Sequence, residues 1–314
     1  MLKFIPVILL ALVSWLVEMS VVALPNPGLQ DRDIGKVTTM SSSQLTALAP
    51  YTEFARAAYC SPSIVQGWNC VSSEACSAVP GFQVTLTGGD GNAVQYYYVG
   101  YWPSQNTVVV AHQGTDPTQL QVYADLTNMD LPLTSPSSTL FPGIDSSVKV
   151  HSGFANEHAK TALIILDEVK RLLTLYNASK VTVVGHSLGG ALAELDCVFL
   201  SLNLPSGTSI KGVTYGKPRV GNPAWAALFD SQISDYQRIT NMRDPIPIFP
   251  LRSVGYSQVH GEVHIVHPDD AVECPGDDDT TDSQCTIQSV GLLPNILDHL
   301  GPYQGIYVGT IFCT

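Results

Sequence analysis

The sequence predicts an α/β fold: a mostly parallel central sheet with helices on both faces, and hairpin strands on its N-terminal side. Three observations carry this. Strand-like apolar runs alternate with helical periodicity through the middle of the 314 residues, as strand–helix–strand units do. The run Val181-Thr182-Val183-Val184 is β-branched and mostly apolar, which suits a strand buried on both faces of a parallel sheet. It leads without a gap into Gly185-His186-Ser187-Leu188-Gly189 and then into Leu188, Leu192, Leu195, Phe199 and Leu202, which share one helical face.

In chain order, residues 4–17 (FIPVILLALVSWLV) form an uncharged apolar run behind Lys3. A membrane-spanning helix needs about 20 residues. The run therefore reads as the core of a signal peptide ending at Val21-Val22-Ala23, with an uncleaved anchor as the lesser alternative. No later segment approaches membrane-span length. Residues 1–23 are expected to be a signal peptide, 24–43 a propeptide or flexible arm, and 44–314 a single α/β domain.

Leu45 to Tyr59 suits a helix, with Leu45, Leu48, Phe54 and Ala58 as its apolar positions. Phe82–Leu86 and Val94–Tyr101 flank the turn cluster Gly88-Gly89-Asp90-Gly91-Asn92 and read as a hairpin. Thr107–Ala111 is a strand that ends in His112-Gln113-Gly114-Thr115-Asp116. Pro117–Ala124 carries a few apolar residues, Leu120, Val122 and Tyr123; periodicity supports a mobile cover and an ordinary surface loop equally. Leu131–Gly143 is Pro/Ser-rich and reads as loop, and His151–Tyr176 as one long amphipathic crossover helix through Leu163, Leu166, Val169, Leu173 and Tyr176. Asn177-Ala178-Ser179 is the chain's one N-glycosylation sequon. Beyond the helix that follows Ser187 come a strand at Ile210–Tyr215, a short helix at Ala224–Phe229, and strands at Gln237–Thr240 and Val259–His267. Asp277-Asp278-Asp279 with Asp282 reads as a solvated loop, with a weak Ca²⁺ site as the lesser alternative.

The net charge of −12 argues against nucleic acid and anionic membrane surfaces as partners; it is compatible with a neutral substrate and with plain solubility. Seven cysteines fit an oxidising compartment. Cys70 with Cys76, and Cys274 with Cys285, bracket short loops and can pair locally; pairing Cys60 with Cys313 would tie the ends of the domain together. Cys197 falls in the helix after Ser187 as a buried free thiol. No CxxC pair exists, so zinc is not expected.

Gly185-x-Ser187-x-Gly189 between a strand and a helix is a nucleophile elbow: a strained turn that raises a serine hydroxyl above the sheet edge, at a helix N-terminus that favours negative charge. The bare pattern alone reads as a Gly/Ser turn; the strand before it and the helix after it make the difference. A serine hydroxyl needs a base, and the base an orienting acid. In the hydrolase fold the acid and then the histidine follow the serine. That order leaves His260, His264, His267 and His299. The first three lie in or at the end of a strand. His299, in the loop Asp298-His299-Leu300-Gly301-Pro302-Tyr303, is preferred, with His267 second. Asp244 follows a strand that Pro245 stops and is preferred as the acid over Asp230, Asp235, Asp269 and Asp270. The oxyanion donors expected are the N–H of Leu188 and a group at Gly114-Thr115; a local turn hydrogen bond is the plain reading of Thr115.

GHSLGGALA, HQGTD, HSGF at His151, YGKPRVGN at Tyr215 and the terminal DHLGPYQG together resemble the secreted fungal class 3 lipases, from about Leu45 to the C-terminus. The resemblance implies an α/β-hydrolase fold, a Ser187–Asp244–His299 triad, an oxyanion hole at Thr115 and Leu188, and no metal or cofactor. It places a lid at Asp116–Ala124, with Asp116, Leu120, Val122 and Tyr123. It also implies the disulfides Cys60–Cys313, Cys70–Cys76 and Cys274–Cys285. The partner it implies is a lipid ester, most often a triacylglycerol, at an oil–water interface, met by a secreted, monomeric chain carrying sugar at Asn177. Many family lids carry a tryptophan and Pro117–Ala124 has none. Feruloyl esterases share the fold and triad under a more polar cover, so a feruloyl-type or short-chain esterase is the alternative. A catalytically inactive surface-binding module is the alternative outside enzymes.

Overall fold

The computed structural model describes residues 35–68, 70, 74–116, 132–278, 280–291 and 293–313. Its strands are β1 (Thr38–Thr39), β2 (Gln83–Gly88), β3 (Tyr97–Trp102), β4 (Thr107–His112), β5 (Leu133–Thr134), β6 (Val150–His151), β7 (Lys180–His186), β8 (Ser209–Tyr215), β9 (Asp235–Asn241), β10 (Glu262–His267) and β11 (Asp270–Cys274). Its helices are α1 (Ser42–Thr46), α2 (Ala49–Ala57), α3 (Pro62–Val65), α4 (Glu74–Ala78), α5 (Ser152–Ala159), α6 (Ala162–Leu175), α7 (Leu188–Asn203), α8 (Pro223–Gln232) and α9 (Thr286–Ser289). The described residues form a nine-stranded sheet in the order β1-β11-β10-β9-β8-β7-β4-β3-β2, and β5 and β6 pair apart from it.

The centre of the sheet, β10-β9-β8-β7-β4, is parallel, and antiparallel pairs flank it on both sides. β2 and β3 are the hairpin expected from the glycine cluster. Successive residues of a strand point to opposite faces, and the core divides accordingly. Val108 and Val110 of β4 and Val181 and Val183 of β7 pack with Ile165, Phe199 and Trp225 of α6, α7 and α8. Val109, Ala111, Val184, Val213 and Ile239 pack on the other face with Phe54 of α2 and with Tyr303 and Val308 near the C-terminus. Phe54 and Phe199 are wholly buried, and each such side chain contributes roughly 1.5–3 kcal/mol. This is the α/β-hydrolase arrangement, with helices on both faces and β7 held between the parallel strands β8 and β4.

Local structure departs from the sequence expectations at several places. The helix expected over Leu45–Tyr59 is two, because Pro50 lacks an N–H and fits only the first turn of a new helix, α2. Ser41 starts α1 with a capping box: its hydroxyl takes the Gln44 N–H while the Gln44 side chain takes the Ser41 N–H. The helix expected over His151–Tyr176 breaks between α5 and α6, where Thr161 has φ −123°. His158 turns inward there to meet Asp196 at 2.8 Å, and Leu163, expected in the core, is 54% exposed. The loop expected over Leu131–Gly143 contains β5. Of the expected arm, the described residues include β1, which pairs with β11.

The acidic run is also not simply solvated. Asp278 is 3% exposed and accepts a hydrogen bond from Arg219 Nε at 2.6 Å, while Arg252 donates to its carbonyl at 3.0 Å. Burial raises the Asp278 carboxyl above its usual range, and Arg219 opposes that. An internal charge needs such a partner, and this one lies too far away in sequence for the run itself to announce it. Among the described residues, disulfides join Cys60 to Cys313, Cys70 to Cys76 and Cys274 to Cys285, and Cys197 is a buried free thiol. No helix among the described residues is long and apolar enough to cross a membrane.

Candidate active site

β7 delivers the chain to Ser187, which caps α7 with φ 58° and ψ −128°. A side chain is strained in that quadrant, and such strain persists only where the surroundings enforce it. Here the flanking glycines permit it. A Cβ on Gly185 would run into the backbone of Gly189, and one on Gly189 into the carbonyl of His112. The Ser187 N–H donates to the Tyr215 carbonyl at 2.9 Å, and the Ser187 carbonyl takes the N–H groups of Gly190 and Ala191 at 3.0 and 3.2 Å. The N–H of Leu188, in the first turn of α7, has no acceptor within the helix and lies at the positive end of its dipole.

β4 runs parallel to β7 with His112 opposite Gly185, so the chain leaving β4 passes beside Ser187. A Cβ on Gly114 would stand 3.0 Å from the Ser187 Cβ. Gln113 fixes this turn: its N–H donates to the Tyr96 carbonyl at 2.8 Å, and its side-chain carbonyl takes the Tyr96 N–H at 2.9 Å. Thr115 and Asp116 follow, half-buried. Leu120, Val122 and Tyr123 lie outside the described residues.

Asp244 follows β9 at the same end of the sheet, wholly buried. Its Oδ2 accepts from His299 Nδ1 at 2.8 Å and its Oδ1 from the Ile246 N–H at 2.9 Å. Sequence-distant residues thus meet as a carboxylate–imidazole pair, the tautomer with Nδ1–H being the one that leaves Nε2 as a base. The neighbouring Asp298 binds the two loops together. Its carboxylate takes the Arg243 N–H at 3.0 Å and the Asn295 amide at 2.6 Å, and its carbonyl takes the Asn241 amide at 2.8 Å.

Further residues surround this pair that sequence reasoning did not single out. Gly216, after β8, has φ +53°, and a Cβ there would lie 2.9 Å from both Asp244 Oδ2 and His299 Nδ1. The His299 carbonyl accepts from His186 Nε2 at 2.7 Å and from the Tyr303 hydroxyl at 3.0 Å, and Tyr59 Oη meets His186 Nδ1 at 2.6 Å. Burial holds His186 well below its usual pKa, and the nearby His299 lowers it further against the pull of that carbonyl. Tyr303 belongs to the same loop motif as His299; Tyr59 carries no local signal at all.

The other histidines are occupied elsewhere. His112 and His158 both contact the buried carboxylate of Asp196, at 2.7 and 2.8 Å. His151 accepts the Phe154 N–H at the start of α5, His260 meets the Ile233 carbonyl, and His264 sits among the hydroxyls of Thr240, Thr286 and Ser289. His267 is exposed at the end of β10. Glu262, Cys274 and Cys285 bring donor atoms within 4.8 Å of one another. The two sulfurs are joined as a disulfide, however, and Glu262 is paired with Arg238 at 2.9 Å, so this group offers no free thiolate to a metal. Asn177 is exposed just before β7, at the opposite end of that strand from Ser187.

The family model described as lipase (class 3) matches residues 109–254. A lipase of Rhizomucor miehei is 30% identical over 295 residues, spanning 89% of this chain and 73% of that protein. The secreted mono- and diacylglycerol lipase MDL2 of Malassezia globosa is 35% identical over 180 residues, spanning 57% of this chain and only 58% of that relative's length. Among solved structures, a triacylglycerol lipase whose catalytic centre is formed by a serine protease triad matches with a TM-score of 0.73 at 26% identity, covering 89% of this chain and 100% of that one.

Proposed function

Since the chain belongs to the class 3 lipase family, serine ester hydrolases of the α/β-hydrolase fold, we propose that it is a secreted lipase acting through Ser187, His299 and Asp244. The observation that carries this reading is the 2.8 Å contact of His299 Nδ1 with the buried Asp244, at the end of the sheet where Ser187 caps α7. Secretion is supported by the apolar run at residues 4–17 and by the secreted relative from Malassezia.

In this reading Ser187 Oγ attacks the ester carbonyl while His299 Nε2 takes its proton. The carbonyl oxygen, now negative, is stabilised by the N–H groups of Leu188 and Thr115. His299 returns the proton to the leaving alcohol, and the acyl group stays on Ser187. A water then gives its proton to His299 and attacks the acyl carbon, which frees the acid and restores Ser187. Asp244 holds the ring so that Nε2 faces the reaction and stabilises the imidazolium.

The substrate proposed is a lipid ester, with a triacylglycerol first. A soluble aromatic or short-chain ester is the second reading, favoured by the absence of tryptophan from Pro117–Ala124. Initial rates for a partly soluble triglyceride, followed through its solubility limit with Ser187→Ala as the control, separate them. A jump in rate as droplets form marks a lipase with 116–124 as its lid. Smooth saturation below the limit, together with turnover of hydroxycinnamate esters, marks an esterase. Equal rates for the wild type and Ser187→Ala on both ester classes would remove the catalytic reading.

A further inference from the structure

His186, the residue beside the nucleophile, is buried to 1% exposure, and its side chain reaches the loop that carries His299. Its Nε2 lies 2.7 Å from the His299 carbonyl, and the hydroxyl of the fully buried Tyr303 lies 3.0 Å from the same oxygen. A carbonyl only accepts, so both groups donate to it. His186 therefore carries its proton on Nε2, and its other nitrogen takes the Tyr59 hydroxyl at 2.6 Å. Tyr59 is itself wedged in place: a Cβ on Gly114 would strike its hydroxyl.

We propose that His186 and Tyr303 are positioning residues. Their two buried donors converge on the backbone carbonyl of His299 and, through it, set the imidazole against Asp244 and toward Ser187. The proposal rests on the reading of His299 as the base.

Two features argue that this is more than loop packing. The grip is on the backbone of the one residue whose ring must be placed to within a fraction of an ångström, and its shorter contact comes from β7, next to the nucleophile in the chain. Attacking group and base are therefore registered to one rigid strand. The His186 and His299 rings also lie 4.5 Å apart, centre to centre. A neutral His186 with its N–H turned to the carbonyl lets His299 become an imidazolium without a second cation beside it. His299 itself meets the Asp244 carboxylate through its ring and the Tyr303 hydroxyl through its carbonyl. The loop is further tied through Asp298 to Asn241 and Arg243, so loss of one donor loosens the ring rather than releasing the loop.

The test is steady-state kinetics on a soluble short-chain p-nitrophenyl ester, with circular dichroism and melting for every variant. Losing one donor to a positioned group, and the small displacement that follows, is expected to cost about threefold to tenfold in kcat for Tyr303→Phe and about tenfold or more for His186→Met. KM should stay within about twofold in both, because uniform substrate binding is untouched. His186→Gln, whose amide N–H reaches the place of Nε2, should recover most of the His186→Met loss. In a His299→Ala background neither change should lower the residual rate further, since both act through His299. Unchanged kcat in Tyr303→Phe and His186→Met, or the same fold loss repeated without His299, would overturn the proposal. If His186→Met does not fold, Tyr303→Phe alone and in the His299→Ala background decides it. Wild-type activity in His299→Ala would instead remove the base reading itself, and this proposal with it.

Discussion

Gly216→Ala should damage the site more than the fold. At φ +53° an L side chain costs about 1–2 kcal/mol. The added methyl would also stand 2.7 Å from Tyr303 Oη and 2.9 Å from Asp244 Oδ2 and His299 Nδ1. Ordinary contacts of a methyl carbon with such atoms lie at about 3.5 Å, so the acid, the base or the tyrosine must retreat by roughly half an ångström or more. A displacement approaching 1 Å costs on the order of 10²-fold in rate, which sets the expected loss in kcat at about ten- to a hundredfold. Gly143→Ala supplies the control, because it has φ +76° with nothing within 4 Å of the new carbon. It carries the backbone strain without the collision. Both variants should melt a few degrees lower, at about 2–4 °C per kcal/mol for a domain of this size, and only Gly216→Ala should lose kcat. Kinetics on a soluble ester and melting curves measure both. A Gly216→Ala enzyme within twofold of the wild type in kcat would refute the placement of Gly216 against a working acid–base pair.

Three further outcomes follow from the same structure. Asp244→Asn should cut kcat by about 10³-fold or more with little change in KM, because His299 loses the carboxylate that fixes its tautomer and stabilises its charge. Asp196→Asn should cost about 3–5 kcal/mol, read as a drop of roughly 10 °C in melting temperature, because the buried carboxylate shared by His112 and His158 would gain an N–H where it must accept. The pH dependence has a definite sign: burial lowers His151 and His264 from 6.5 to about 4. Below pH 6.5 the unfolded chain binds these protons first, so this stability is full above 6.5 and is lost as pH falls toward 4. For His264 it amounts to about 3 kcal/mol at most. Melting temperature measured from pH 7 to 4.5 should fall, and His264→Gln should flatten that slope.

What was legible in the sequence was what short segments determine. The nucleophile turn is readable because its strand, glycines and helix are contiguous, and β7 and α7 appear where the pattern puts them. Asp244 and His299 were reachable through chain order and the loops that hold them. Their supports were not. By chain order alone His186 is a histidine that cannot be the base, and nothing local to Gly216 or Tyr59 hints that the fold brings the first against His299 and the second onto His186. Asp278 failed for the same reason, since an acidic run looks solvated until Arg219 arrives from another loop. The helix break at Pro50 is present in the letters, but the apolar spacing of Leu45, Leu48, Phe54 and Ala58 runs across it and masks it.

The Cys60–Cys313 bond closes nearly the whole described domain into a covalent ring. A protease that cuts one peptide bond inside that ring opens it without producing two molecules. Ser187 and His299 would stay in one particle, at an effective concentration set by the intact half of the ring rather than by dilution. Between the two cysteines, therefore, a single nick is a change of topology that rejoining by folding can tolerate. Loss of mass begins only at the second cut. For a catalyst released into surroundings rich in proteases, that separates the rate of being cleaved from the rate of being destroyed.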